Sequence, residues 1–260
     1  MTTFGKQALT DNEFDELYDD YVKWLLNYKV NIDATHRCML ACAFCSRTIL
    51  DWGMDQVKDY QNAYGDLTIQ DAVRLGNTFK TQMFCGNISD PIYNPQFLEI
   101  LDALGDTTTE RVQIHTNGSH KKQEWWHQLV DICNSKKYFT EMIFGIDGID
   151  QKTALHRKNQ KFDESWYAMT YCKQNLNPKN SLVTWQFIPF KYNQHEIEQA
   201  KQLAKQHKIR FLTVKSGRFG YDNGPLDPPD DQNLYSTNIQ STREFIRYDQ
   251  GEEHTEEVKV

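Results

Sequence analysis

The sequence lacks the features that mark several large protein classes. No apolar run approaches the roughly 20 residues of a membrane-spanning helix, and the first residues, Met1–Lys6, include no apolar segment typical of a secretory signal. Positive charge is in the minority, because 29 Lys and Arg residues stand against 36 Asp and Glu residues. This balance disfavours nucleic acid as the main partner. We therefore expect a cytoplasmic protein with no membrane partner.

Cysteine is scarce and unevenly distributed. Three of the six cysteines, Cys38, Cys42 and Cys45, fall within eight positions, and none follows Cys172. Thiolate sulfur is a soft ligand that suits iron–sulfur clusters, zinc and cuprous ion. A [4Fe–4S] cluster normally takes four cysteine ligands. Three cysteines on one loop would therefore leave one iron open to a substrate or cofactor.

Three other interpretations of these cysteines remain to be weighed. Zinc would need a fourth ligand, and although His36 is near, no second Cys or His pair follows. A disulfide is disfavoured because no export signal is seen. Three unrelated core thiols are the simplest alternative, since cysteine is often buried. The close spacing favours a cluster over all three.

From residue 30 onward, predicted strands and helices alternate. Six strands alternating with helices predict a parallel sheet with right-handed crossovers, either open or curved into a partial barrel. Active sites of such sheets lie at the C-terminal ends of the strands, and the three cysteines follow the first one. The predicted strands are Val30–Thr35, Gln82–Ile88, Arg111–Thr116, Phe139–Ile146, Ser181–Phe190 and Ile209–Val214, and the helices are Leu67–Phe79, Pro95–Leu104, Lys122–Ser135, Asp163–Gln174 and His195–His207.

The two ends of the chain differ from this central part. Residues 11–28 predict an amphipathic helix with an acidic, solvated face. From Gly217 onward, glycines and prolines break regular structure, and the polar, glutamate-rich tail Gly251–Val260 predicts disorder. The sequence thus divides into an N-terminal helical extension (1–29), a barrel (30–216) and an irregular C-terminal extension (217–260).

The motif C-x3-C-x2-C, with Phe44 before its last cysteine, resembles that of the radical S-adenosylmethionine (SAM) enzymes. The resemblance implies an α/β fold, a partial (β/α)6 barrel, with a [4Fe–4S] cluster on Cys38, Cys42 and Cys45. It implies an oxygen-sensitive enzyme in which one electron, from a donor such as flavodoxin or ferredoxin, cleaves SAM. The resulting 5′-deoxyadenosyl radical would abstract hydrogen from a peptide or small-molecule substrate.

Stretches at the ends of successive strands resemble the SAM-binding motifs of that family. Cys-Gly-Asn-Ile-Ser-Asp-Pro after the second strand is similar to the motif that receives the methionine amino group, and Thr-Asn-Gly ends the third. Gly-Ile-Asp-Gly after the fourth would contact the ribose, and the arginine of the following His-Arg would pair with the SAM carboxylate. The SAM-binding residues implied are Phe44, Gly86, Asn87, Asp90, Thr116, Asn117, Asp147, Arg157, Gln186 and Val214.

Simpler interpretations exist for these stretches. Ser-Asp-Pro and Asn-Gly are common turn formers, the His-Arg-Lys run suits a solvated loop, and Gln186 can be satisfied inside a barrel. No catalytic acid or base is singled out, although Cys85, His115, Asp147 and Lys215 are available. Cys85 is either a hydrogen-atom donor or a buried structural thiol.

The SPASM or twitch group of peptide-modifying radical SAM proteins is the most similar subgroup. Those proteins hold further clusters in a cysteine-rich C-terminal domain, whereas this chain has no cysteine after Cys172. An auxiliary cluster is therefore not expected. The non-enzymatic alternatives are a degenerate iron–sulfur or SAM-binding subunit and an electron-transfer protein, although a carrier usually has four cysteine ligands.

Overall fold

The computed structural model describes residues 29–43, 45, 65–86, 89–216, 226–235, 237–238, 242–249 and 252–259. The helix predicted over residues 11–28 lies outside these residues, as do the predicted SAM contacts Phe44 and Asn87. Within the described ranges, no helix combines the length and apolarity needed to cross a membrane.

Six parallel strands form one sheet in the order β1-β2-β3-β4-β5-β6, with helices between successive strands. In the part of the chain that the structure describes, β1 and β6 do not pair with each other, so the sheet is open. The predicted α/β class and partial barrel are confirmed. The strands are β1 Lys29–Ile32, β2 Thr81–Phe84, β3 Arg111–Thr116, β4 Phe139–Gly145, β5 Ser181–Phe187 and β6 Arg210–Thr213, and the helices are α1 Ile69–Thr78, α2 Phe97–Leu104, α3 Gln123–Ser135, α4 Phe162–Asn175 and α5 Ile197–Gln206.

Local sequence signals explain where several elements begin and end. Thr68 caps α1, because its hydroxyl oxygen accepts a hydrogen bond from the backbone N–H of Asp71. Strand β3 has the predicted bounds. Strands β2 and β5 end earlier than predicted, at Phe84 and Phe187, because the residues that follow leave the sheet at its C-terminal edge.

Aromatic side chains join the sheet to its helices. Phe84 of β2 meets Phe97 of α2 edge to face, with ring centroids 5.2 Å apart, and Trp185 of β5 meets Trp166 of α4 at 5.3 Å. These rings belong to one continuous apolar core. Their burial supplies the main driving force for packing the helices on this face of the sheet.

The opposite face of the sheet is polar. Glu141 of β4 is buried, and its carboxylate accepts a hydrogen bond from Gln113 Nε2 at 2.9 Å. Arg111 of β3 and Arg210 of β6 each place an Nη1 atom 3.5 Å from the same carboxylate. Because β5 lies between β4 and β6, contact between Glu141 and Arg210 shows that the sheet curves toward this face.

The C-terminal segment differs from the irregular, disordered extension predicted for it. Three antiparallel strands, β7 Thr237–Asn238, β8 Thr242–Asp249 and β9 Glu252–Lys259, form a second sheet. Thr, Phe, Ile and Tyr in β8 favour a strand, and the pairing of Asp249 with Glu252 leaves two residues between the strands, a common hairpin length. The high glutamate content of the tail conceals this pattern. The division at residues 216 and 217 stays a prediction.

We expect Glu141→Ala to lower the free energy of unfolding by about 3 kcal/mol, since it removes the buried carboxylate that two arginines contact. Glu110→Ala is the matched control, because Glu110 pairs with Lys80 at 2.7 Å on the surface and should cost less than about 1 kcal/mol. Urea denaturation measures both variants. Equal losses would contradict a structural role for the Glu141 cluster.

Candidate functional site

The cysteine loop follows β1 and is hydrogen-bonded to the segments that follow β4 and β2. The backbone N–H groups of Ala41 and Ala43 donate hydrogen bonds to the carbonyls of Lys158 and His156, both at 3.0 Å. The N–H of Asp90, after β2, donates to the carbonyl of Arg37 at 3.1 Å. These bonds fix the loop across the C-terminal edge of the sheet.

A cavity of about 330 Å3 opens beneath the cysteine loop. Its volume is within the range of small-molecule and cofactor sites. It lies where the sequence predicts a site, at the C-terminal ends of the parallel strands. The predicted site residues that line it are Cys38, Cys42, Cys45, Gly86, Asp90, Thr116, Asn117, Arg157 and Gln186.

The three loop cysteines border one cavity, an arrangement that would suit thiolate ligands of a shared cluster. Cys38 and Cys42 are half-buried and Cys45 is buried, and all three line the cavity. Within the described residues, no group of three or more His, Cys, Asp or Glu side chains is arranged to hold one metal ion. A [4Fe–4S] cluster is larger than an ion and distributes its thiolate ligands over separate irons. Thiols around a cavity satisfy that requirement.

Asp90 links the end of β2 to the end of β3. Its Oδ2 accepts hydrogen bonds from the Thr116 hydroxyl at 3.1 Å, from the Asn117 backbone N–H at 2.7 Å and from the Asn117 side-chain amide. Its Oδ1 accepts from the N–H of Ile92 at 3.2 Å. Burial raises the pKa of Asp90 to about 6, although these hydrogen bonds act to lower it. Asp90 therefore holds the predicted Thr-Asn-Gly stretch in place.

The Thr-Asn-Gly stretch has a local structural role of its own. Gly118 has a φ of +75°, and a Cβ added there would lie 2.9 Å from Cδ1 of Phe144. Glycine therefore suits both the backbone conformation and the space. Thr116 and Asn117 still border the cavity.

Asp147 supports neighbouring residues in this structure, and its predicted ribose contact stays a prediction. It is fully buried and is not among the residues that line the cavity. Its Oδ2 lies 2.7 Å from both Arg157 Nε and His156 Nδ1, and its Oδ1 accepts from the N–H of Ile188 at 2.9 Å. Burial alone would raise the pKa of Asp147, but Arg157 and His156 hold it below its ordinary value. Asp147 thus positions two cavity residues.

Arg157 depends on a glycine as well as on Asp147. A Cβ added at Gly145 would lie 2.7 Å from Nη2 and 2.9 Å from Cζ of Arg157. Glycine at the end of β4 leaves room for the guanidinium. The charges of Asp147 and Cys42 raise the pKa of Arg157 against the effect of burial, so the guanidinium stays charged.

Of the two predicted SAM contacts at the ends of β5 and β6, one lines the cavity and the other does not. Gln186 of β5 lines the cavity. Val214 does not, and its backbone N–H donates to the carbonyl of Phe187 at 2.9 Å. Lys215 and Ser216, the next two residues, line the cavity instead.

Several lining residues carry weak sequence signals. His156 adjoins the predicted Arg157, and Ile143 lies two positions before Gly145, which places it on the same face of β4. Strand alternation would have found Ile143. Of the four residues available for acid–base work, Cys85, His115 and Lys215 line the cavity, whereas Asp147 does not. Burial raises the pKa of Cys85 to about 11, so this thiol is protonated at neutral pH.

No protein-family model matches the sequence, and a search of curated proteins gives no significant match. Solved structures do match in fold. Streptococcus suis SuiB bound to the precursor peptide SuiA has a TM-score of 0.57 at 15% identity, covering 90% of this chain and 52% of SuiB. SuiB bound to S-adenosylmethionine has a TM-score of 0.55 at 14% identity, covering 86% of this chain and 51% of SuiB.

A second solved protein shares the fold. Native anSMEcpe with bound AdoMet and Cp18Cys peptide has a TM-score of 0.51 at 14% identity, covering 75% of this chain and 54% of anSMEcpe. This chain spans about half the length of the proteins that it matches. At such low identity, the likeness shows a common fold and no more. The fold expected from the sequence motifs is therefore the fold of these solved radical SAM structures.

The raised pKa of Asp90 predicts a pH dependence of stability. A carboxyl whose folded pKa is raised stabilises the folded state fully below its unfolded pKa, and this contribution is lost as the pH rises through about 6. Between pH 4 and pH 7 the wild type should lose up to roughly 3 kcal/mol relative to Asp90→Asn. Urea denaturation across this range measures the difference. A constant difference between the two proteins would contradict the raised pKa.

Proposed function

We propose that this chain is a radical SAM enzyme. It would hold a [4Fe–4S] cluster on Cys38, Cys42 and Cys45 and bind SAM in the adjoining cavity. One observation carries the proposal: the three thiols share a single cavity with polar residues that end or follow five successive strands, β2 to β6. A set of unrelated core cysteines would have no reason to face these residues together.

The cavity residues suggest how SAM would be held. Arg157 would bind the SAM carboxylate, because a guanidinium fixed by Asp147 presents its remaining N–H groups in a preset orientation. Gly86, which lines the cavity, has no room for a Cβ, because the Ser89 hydroxyl occupies that position. Gln186 would offer its amide to the ribose. Val214 would contribute through its backbone, next to the cavity residue Lys215.

The chain's own residues would position SAM and limit access of water to it. When bound, the cluster and SAM supply the one-electron cleavage that gives a 5′-deoxyadenosyl radical and hydrogen abstraction from the substrate. The apolar side chains of Leu40, Ile143 and Ile188 line the cavity beside its polar groups and would exclude water there. The protonated thiol of Cys85 lies in the same wall.

A peptide is the favoured substrate, with a small molecule as the alternative. SuiB bound to the precursor peptide SuiA and anSMEcpe with bound Cp18Cys peptide support this choice through their similar fold. The electron donor would be a small protein such as flavodoxin or ferredoxin. A reducing cytoplasm would keep the cluster thiols available.

Anaerobic reconstitution with iron and sulfide, followed by SAM and dithionite, tests the proposal. The wild type should release 5′-deoxyadenosine, measured by chromatography, and Cys42→Ala should lose both this product and the cluster absorbance. Cys133→Ala is the matched control, because Cys133 is a buried thiol of α3 outside the cavity. It should behave as the wild type does.

Two results would count against this function. If the wild type binds no cluster with its cysteines intact, the proposal fails. If the cluster forms and SAM perturbs its spectrum without cleavage, the chain is a degenerate binding subunit rather than an enzyme.

The Gly145–Arg157 contact gives a separate prediction for SAM affinity. Gly145→Ala should displace the guanidinium and weaken SAM binding at least about tenfold, approaching the effect of Arg157→Ala. Gly105→Ala is the control, because a Cβ there meets the flexible Lys136 side chain, far from the cavity lining. Isothermal titration measures the affinity. Unchanged binding in Gly145→Ala and Arg157→Ala would remove Arg157 from the SAM site.

A further inference from the structure

One exposed apolar side chain, Met39, lies on the cysteine loop, and another, Leu155, lies on the segment that adjoins it. Met39 and Leu155 are 56% and 53% exposed, and in the described part of the chain they are the only large apolar residues with such exposure. Met39 directly follows the cluster candidate Cys38. Its carbonyl accepts a hydrogen bond from Asn159 Nδ2 at 3.5 Å, so it adjoins the segment that contains Leu155. Two exposed apolar side chains on adjoining segments make this part of the surface a candidate for an interaction.

The same segment is basic, although the chain as a whole carries a net charge of −7. Between residues 151 and 161 there are four basic residues and no acidic one. Ion pairs occupy three of the four: Lys152 contacts Glu196 at 3.7 Å, Arg157 contacts Asp147 at 2.7 Å, and Lys161 contacts Glu164 at 2.9 Å. Lys158, which is exposed, belongs to none of these pairs. Within the residues that the structure describes, its ammonium group takes part in no ion pair.

A neighbouring loop adds to the positive charge. The ring of His120 contacts the carbonyl of Asn159, with Nε2 2.7 Å from the oxygen. This contact places the loop after β3 beside the basic segment. Lys122, two residues further on, is exposed. One acidic side chain at this junction, Glu164, already accepts a hydrogen bond from the His120 N–H at 2.6 Å and pairs with Lys161.

We propose that Met39, Leu155, Lys122 and Lys158 form a docking surface for a small acidic electron-transfer protein. The inference rests on the proposed function, which requires a protein to deliver one electron to the cluster. Lysines around an apolar contact complement an acidic partner and speed its encounter. Weak redox complexes use small interfaces of this kind.

The position of this surface suits electron delivery. Met39 is covalently adjacent to Cys38, so a donor seated there is one residue from a cluster ligand. Cys38 and Cys42 border the cavity, whereas Met39 and Lys158 are exposed to solvent. The donor would transfer one electron, becoming oxidised by one electron as the cluster is reduced, without entering the cavity. Substrate and donor would thus approach from different sides of the cysteine loop.

The test uses the reconstituted wild type and a purified bacterial flavodoxin as the probe. The double variant Lys122→Glu, Lys158→Glu should bind flavodoxin at least about tenfold more weakly at low salt, and added salt should reduce the difference. Biolayer interferometry measures this affinity independently of catalysis. Met39→Gln is a second variant that tests the apolar contact without changing charge. Lys201→Glu on α5, which removes a surface lysine paired with Glu198, is the control and should leave binding unchanged.

Reduction kinetics separate docking from catalysis. Flavodoxin hydroquinone should bleach the cluster more slowly in the charge-reversed variant, whereas dithionite should reduce wild type and variant equally. Equal flavodoxin affinity in wild type and variant would overturn the docking surface. A matching loss with dithionite would overturn it as well, since the side chains would then serve the cysteine loop itself. Failure of the wild type to form a cluster would instead reject the proposed function, and the affinity measurement would still decide whether the surface binds flavodoxin.

Discussion

The buried carboxylate of Asp147 is the interaction on which the site depends. It fixes Arg157 and His156 through one oxygen and the backbone after β5 through the other. The carbonyl of His156 in turn receives the N–H of Ala43 in the cysteine loop. One buried charge thus connects the ends of β4 and β5 to the loop. Such a charge is tolerated because its partners are charged or polar and closely placed.

The strand and helix pattern was readable because local and tertiary preferences agree in this part of the chain. Four of the six residues of Arg111–Thr116 are buried, as expected of a strand covered on both faces, and Thr68 precedes α1 with the acidic residue that a cap favours. The second sheet was missed for the opposite reason. Glutamates in β9 lower the hydropathy that usually identifies a strand, and its pairing with β8 connects residues whose sequence carries no clear apolar alternation.

The sequence predicts several residues of the candidate site, but it does not predict what each of them contacts. Cysteine spacing and strand-end polar residues identified nine of the residues that line the cavity, because parallel strands bring their C-terminal ends to one edge. Asp147 and Val214 show the limit of this reasoning. A carboxylate at a strand end can face a ligand or support its neighbours, and only the contacts with Arg157 and His156 distinguish the two. The structural role of Gly145 likewise becomes apparent only from the position of the Arg157 guanidinium next to it.

The cysteine loop therefore has two sides with different physical requirements. Its cavity side needs fixed polar groups and few mobile waters, and the network from Asp147 to Arg157 supplies this rigidity. On its outer side the proposed docking would call for a weak, reversible contact, since an electron donor would have to leave after each electron. An isolated apolar residue beside a solvated lysine meets that need, because exposed charges steer association but add little to its strength. Under these proposals, SAM would bind specifically on the cavity side of the loop, and the electron donor would associate rapidly and weakly on the outer side.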